Sequence, residues 1–250
     1  MSKIVADFFI RHAVDQTRST NDIARELAEM GAPEGMLVTA RRQTAGRGRR
    51  GNAWESSEGN VFLSLVLRPQ GSAQVAAQVS FVMANAVREL VAHRIPGVPI
   101  QLKWPNDVLC GGKKISGILL EAGPPSDGGI AWLIAGLGIN VSAKPASRTD
   151  ATALHDEGDT RSDADTVIAD FCERFLSWYE RWQLDGFEPV RTAWLAHAHG
   201  LARPIQIRLP HEIIDAIFDG VDETGALLAR LADESLRKVT GGEVYFGSLG

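Results

Sequence analysis

The chain has 250 residues, 44% of them hydrophobic and 23% charged, which is the balance of a globular protein able to bury a core without staples. The formal net charge of -5 excludes a molecule built as a whole to coat nucleic acid, so anion binding has to come from a local cluster of cations. The two cysteines, Cys110 and Cys172, form no CxxC pair. They read as reduced thiols of a cytoplasmic protein rather than a zinc site or a disulfide framework. No stretch approaches 18 apolar residues and the N-terminus lacks a long apolar segment, so no membrane span is expected.

In chain order, Ser19-Thr20-Asn21-Asp22 predicts a helix start, with Ile23, Leu27 and Met30 on one face and a stop at Gly31. Residues 35–40 read as a short strand, and 41–60 as a long loop rich in Gly and Arg. Val61–Leu67 is an almost continuous apolar run, predicting a strand buried on both faces. Residues 72–93 carry apolar positions at helical period, and 99–103 is a strand ending at Trp104-Pro105. Residues 114–121 and 130–137 read as two paired strands, with Pro124-Pro125 and Gly128-Gly129 punctuating the turn. Residues 163–183 form a long helix with Val167, Phe171, Phe175 and Trp178 inward, and 187–197 a third helix. After Gly200 short apolar runs alternate with turn residues, which predicts a small β-barrel. The expected organisation is a domain over residues 1–199 and a second over 200–250.

Gly46-Arg-Gly-Arg-Arg-Gly51 is the most unusual stretch. Three arginines within four positions repel one another unless an anion sits among them, and the glycines let backbone N–H groups approach that anion. The string fits GxGxxG, but no helix opens from it, so a nicotinamide fingerprint is rejected by context. It is not a Walker loop either. A nucleic-acid arm or a merely solvated loop remains open beside a phosphate cradle. In Lys103-Trp-Pro-Asn-Asp107, Asn106 and Asp107 either cap a turn or serve a nucleotide, with Asp107 helping to hold Mg²⁺ through phosphates. Lys113 and Lys114 open the next strand, where a lysine is a solvated edge residue or a point charge for an anion. Gly136-Leu-Gly-Ile-Asn140 offers bare backbone against which a ligand can lie. His197 and His199, two apart on the third helix, face different ways and make no metal pair.

Taken in order, Ser19-Thr20-Asn21, Gln43 with Gly46–Gly51, Lys103–Asp107, Lys114–Gly117 and Gly136–Asn140 resemble the biotin–protein ligase family. The tail with Gly200–Ile207, Gly225–Leu228 and Gly241–Val244 is similar to that family's SH3-like C-terminal domain. The resemblance implies an α+β fold of the class II synthetase-like kind, a mixed β-sheet flanked by helices, followed by the small barrel. It implies formation of biotinyl-5′-AMP from biotin and ATP, then transfer of biotin to a lysine of a biotin carboxyl carrier domain of acetyl-CoA carboxylase. ATP with Mg²⁺ and biotin are expected as substrates and activator. The lipoate- or octanoate-protein ligases of the same fold are the rival reading. Carried over by position, Ser19, Thr20, Asn21, Gln43, Gly46, Arg47, Gly48, Arg49 and Lys114 are expected around biotin. Arg47, Arg49 and Lys114 are expected to act in catalysis, with alignment on Gly117 favouring Lys114 over the adjacent Lys113. Arg49, Trp54, Asn106 and Asn140 are expected at the nucleotide. Only 18 residues precede Ser19, too few for the winged helix-turn-helix of repressor members, so no DNA binding is expected. A monomer or weak homodimer is the expected state.

Overall fold

The computed structural model describes residues 7–246. Its centre is a seven-stranded sheet. β1 (Ile10–Thr17) runs parallel to β2 (Met36–Gln43); every other neighbouring pair is antiparallel. The remaining strands are β3 (Val61–Leu67), β4 (Ile100–Lys103), β5 (Asp107–Cys110), β6 (Lys113–Ala122) and, after the hairpin β7 (Pro125–Ser126) and β8 (Gly129–Ile130), β9 (Leu133–Ile139). Their order is β1-β2-β3-β9-β6-β5-β4, which makes the sheet mixed, as expected. β3 and β9 are buried at every position because helices cover both faces of the sheet.

On one face lies α1 (Thr20–Glu29). Its buried residues are Thr20, Asn21, Ala24 and Ala28, whereas Ile23 and Leu27 are half-buried and Met30 is exposed. The predicted stripe is therefore rotated. Ala24 and Ala28 are small enough to bring the helix backbone against Val38, Val66, Trp132 and Ile134. On the other face, α2 (Ala73–Ala77), α3 (Val79–Arg94), α4 (Ala164–Asp185) and α5 (Phe187–Leu195) build the main core. The single helix predicted over 72–93 is broken at Gln78, whose side chain accepts from Trp182 Nε1 at 2.9 Å. By length and composition Ala73–Arg94 is apolar enough to cross a membrane, contrary to the expectation. However, 67% of its most apolar window is buried in the fold, as in a core helix. α4 begins with a capping box at Asp163. Its inward face is Val167, Phe171, Phe175 and Tyr179; Trp178 is half-buried under Arg181.

β1 and β5 escaped the sequence reading. β1 is a polar edge strand, exposed along most of its length, with no hydrophobic alternation to reveal it. Its parallel pairing, from Ile10 with Met36 to Thr17 with Gln43, carries β2 three residues beyond the predicted end. The third helix stops at Leu195, so His197 and His199 lie beyond it. Their segment bridges to β4, and His199 Nδ1 lies 3.2 Å from Gln101 Oε1.

The chain ends in a five-stranded antiparallel sheet of β10 (Pro204–Arg208), β11 (Ile213–Val221), β12 (Leu227–Arg230), β13 (Leu236–Val239) and β14 (Glu243–Phe246). Its order β13-β12-β11-β10-β14 is that of a four-stranded meander whose last strand returns beside the first. Asp222 fills the β11–β12 turn, accepting from the N–H groups of Thr224 and Ala226.

Candidate active site

A cavity of about 730 Å³ opens where the N-terminus of α1, the Gly-Arg loop, β6, β9 and the C-terminal sheet meet. That volume is in the range of small-molecule sites, roughly 300–1,000 Å³. Ser19, Thr20, Asn21, Gln43, Arg47, Gly48, Arg49, Trp54, Asn106, Asp107, Lys114 and Asn140 all line it. Gly46 does not. A Cβ at Gly46 would stand 2.7 Å from the Trp54 carbonyl oxygen, so its glycine lets the loop fold back on itself.

Ser19 holds the N-cap position of α1, yet its side chain makes no capping bond. Thr20 N–H donates to Gln43 Oε1 at 2.8 Å, and Gln43 Nε2 donates to Ser56 Oγ at 3.3 Å. A pairing over 23 residues thus joins the first helix to the end of β2, and the β1–β2 register places it.

The three arginines diverge. Arg47 donates to both oxygens of Asp22, at 3.1 and 2.8 Å, and lies 3.4 Å from Glu121. Arg25 closes the ring, 3.4 Å from Asp22 and 2.9 Å from Glu121. The Arg47 hydrogen bond holds the Asp22 carboxyl below its usual range against the opposing effect of burial. The anion expected among the arginines is, at Arg47, supplied by the protein itself. Arg47 nonetheless lines the cavity. Arg49 stays in the cavity 3.5 Å from Asn106 Oδ1; burial and then Arg50 lower the pKa of its guanidinium. Arg50, in the left-handed region at φ 55°, reaches the Arg208 carbonyl oxygen of the C-terminal sheet at 3.3 Å. Such strain in a non-glycine residue points to a loop held by its contacts.

Lys114 lines the cavity, while Lys113 is exposed. The register shifts beside them, so Ile115 is the extra residue between Leu109–Lys114 and Val108–Ser116, and such bulges re-aim side chains. Lys114 Nζ sits 2.5 Å from Asp107 Oδ1 and 5.5 Å from the Trp54 ring centre. Asn106 Nδ2 donates to the Ile118 carbonyl at 2.7 Å, and Asn140 Nδ2 to that of Thr152 at 2.9 Å. These bonds fix both amides and leave Asn140 Oδ1 buried without a partner, as are Asn21 Nδ2 and Trp54 Nε1. Three orphaned polar atoms in one cavity are a cost that a polar ligand removes.

The floor is bare backbone, but it is Trp54 that lies on it. A Cβ at Gly138 would fall 2.5 Å from the indole, and one at Gly117 2.9 Å from it. Several lining residues escaped the sequence reading: Lys103, Arg148 and Asp150, and from the C-terminal sheet Gly242–Tyr245. Burial lowers the pKa of the Lys103 ammonium, opposed by Asp107. Arg148 donates to both oxygens of Asp150 at 2.8 and 2.5 Å. Lys103 and Gly242–Val244 sat inside recognised segments without being read as site residues; Arg148 and Asp150 sat in none, and their proximity to the site leaves no local signal.

Comparison with known proteins shows the family and the fold. Residues 13–140 match the biotin/lipoate A/B protein ligase family, and 201–247 match the biotin protein ligase C-terminal domain. The chain is 40% identical over 239 residues to a biotin–[acetyl-CoA-carboxylase] ligase of Paracoccus denitrificans, covering 93% of this chain and 98% of that protein. It is 34% identical to the bifunctional ligase/repressor BirA of Bacillus subtilis, covering 98% of this chain and 76% of that protein. Among solved structures, the biotin protein ligase of Aquifex aeolicus in complex with biotin and ATP superposes with a TM-score of 0.80 at 27% identity, covering 94% of this chain and 97% of that one. The chain belongs to the biotin/lipoate A/B protein ligase family.

Proposed function

We propose that this protein is an ATP-dependent biotin–protein ligase. It forms biotinyl-5′-AMP from biotin and ATP, then transfers biotin to one lysine of a biotin carboxyl carrier domain. The reading rests above all on one observation. Five motifs scattered from Ser19 to Asn140 line one cavity whose polar groups are left partly unsatisfied. Relatives named as biotin–[acetyl-CoA-carboxylase] ligases and a neighbour holding biotin and ATP support it.

In the first step a carboxylate oxygen of biotin attacks the α-phosphorus of ATP and pyrophosphate leaves. Two anions must meet, so positive charge has to be preorganised where negative charge builds up. Lys114 and Arg49 are assigned that role, while Arg47 anchors the loop through Asp22 and Glu121. Ser19, Thr20, Asn21 and Gln43 hold biotin's ureido ring. Asn106, Asn140 and Trp54 meet the nucleotide. In the second step the carrier lysine's amine attacks the mixed anhydride and AMP leaves. A loop folded over the cavity keeps water from the anhydride meanwhile.

Mg²⁺ binds through one or two carboxylates plus substrate phosphates. Asp107 stands in the right wall, but Lys114 already engages one of its oxygens. Among the described residues no group of three His, Cys, Asp or Glu stands together. The donor set fits an ion carried in by the triphosphate, which neutralises its charge, better than one caged by protein. The activity is assigned to the cytoplasm, and the division near residue 200 is kept, with the second unit closing one side of the cavity.

The test is exchange of labelled pyrophosphate into ATP with biotin, lipoate or octanoate as the acid. Exchange that depends on biotin is expected. Exchange supported by lipoate or octanoate and not by biotin makes the protein an acyl ligase of the same fold. No exchange, with steeply salt-dependent nucleic-acid binding, overturns the enzyme reading.

A further inference from the structure

Ser64 belongs to no recognised motif, yet it organises the wall that receives the acid. It is fully buried at the middle of β3, and its Oγ lies 2.7 Å from Thr20 Oγ1 and 2.6 Å from Asn21 Oδ1. Both are normal lengths for O–H···O bonds, so each needs a proton between its oxygens. Asn21 Oδ1 has none to give, so the Ser64 hydroxyl must donate to it. The Thr20 contact then needs the Thr20 proton. The chain runs in one direction: Thr20 donates to Ser64, and Ser64 donates to Asn21. Gln43 Oε1, held by Thr20 N–H at 2.8 Å, also lies 3.3 Å from Thr20 Oγ1, but the 2.7 Å contact to Ser64 is the shorter and takes the proton.

The direction has a consequence at the cavity. With its proton spent, Thr20 Oγ1 offers a ligand only lone pairs. Asn21, with its oxygen held by Ser64, offers Nδ2, which is buried and without a partner. An acceptor and a donor therefore stand side by side on adjacent residues. That is the complement of an N–H next to a C=O, the edge of a cyclic urea. Gly136 completes the arrangement, since a Cβ there would overlap Asn21 Oδ1.

We propose that Ser64 is a specificity-determining positioning residue: it sets the hydrogen-bond polarity of Thr20 and Asn21 so that the site accepts a neutral urea edge and rejects a ligand with donors at both positions. The proposal deepens the biotin reading and rests on it.

The experiment measures pyrophosphate–ATP exchange for wild type, Ser64→Ala and the near-isosteric Ser64→Cys, with biotin and with 2-iminobiotin. In the protonated imine, N–H donors replace the biotin carbonyl. The wild type is expected to discriminate strongly against 2-iminobiotin. Ser64→Ala is expected to raise KM for biotin about tenfold, the effect of one buried hydrogen bond, and to narrow the biotin-to-iminobiotin ratio. Its kcat and KM for ATP stay within about twofold, and Ser64→Cys falls between. A KM for biotin and a ratio that do not move in folded Ser64→Ala overturn the proposal while leaving the biotin reading intact. So does a parallel loss of kcat, KM for ATP and melting temperature, which marks a packing role. Equal use of the two acids by wild type overturns the polarity. A wild type that exchanges with neither overturns the biotin reading itself.

Discussion

At the scale of single residues, Lys114 and Arg49 carry the electrostatic argument because both line the cavity, one beside Asp107 and the other beside Asn106. Lys114→Ala is expected to slow biotinyl-adenylate formation by about 10²-fold or more, measured in a single turnover with enzyme in excess. A near-normal rate removes Lys114 from the chemistry. An adjacent pair of identical residues does not by itself separate Lys113 from Lys114, and only alignment on Gly117 by resemblance favoured the second; the strand and its bulge expose Lys113 and place Lys114 at the cavity. Ser19-Thr20-Asn21 was legible as a helix start, and the reading of these residues as ligand-facing came only from the family resemblance. Their structure reconciles the two: the cap position is occupied, but the Ser19 side chain makes no cap bond.

At the scale of elements, the loop after β2 is tied down by the ring of Arg47, Asp22, Arg25 and Glu121. A half-buried ring of alternating charge holds only while each member is paired, because removing one leaves another partly desolvated and alone. Glu121→Gln or Asp22→Asn is expected to loosen the loop and speed adenylate escape several-fold, read as the rate at which adenylate separates from enzyme on gel filtration. Retention equal to wild type removes the anchoring role. Gly138→Ala drives a Cβ into the Trp54 indole and is expected to lower exchange activity at least tenfold, with little loss of global stability by denaturant titration. In the β11–β12 turn, burial works against the Asp222 carboxylate, but Lys238, Thr224 and the turn's N–H groups outweigh it and hold its pKa at about 2. A depressed acid stabilises the fold above its ordinary pKa of 3.8 and loses that contribution as pH falls toward about 2. Asp222→Asn is therefore expected to flatten the acid limb of the stability curve between those values, and an unchanged limb contradicts it. Elements with strong periodicity, such as α4 and β3, were legible. β1 was not, since an exposed polar edge strand is defined by its neighbour β2 and not by its own pattern.

At the scale of the whole molecule, the cavity is a meeting of distant segments. The C-terminal sheet supplies Gly242–Tyr245 to its wall, receives Arg50 at the Arg208 carbonyl, and accepts from Trp104 Nε1 at the Gly225 carbonyl, 3.1 Å away. Trp104→Phe is expected to cost about 1–2 kcal/mol in denaturant unfolding through that lost bond and the space left behind. The order of motifs along the chain announced the family, and so the fold. The convergence of Lys103, Arg148 and the last strand on the same space did not show, because it depends on contacts between segments far apart in the chain. The most direct measurement is a crystal structure with a non-hydrolysable biotinyl-adenylate analogue. The expected result is the ligand in the cavity, its acyl-phosphate group within hydrogen-bond distance of Lys114 Nζ and the Arg49 guanidinium, and its ureido ring against Thr20 and Asn21. A ligand bound elsewhere, with Lys114 and Arg49 turned to solvent, contradicts the account.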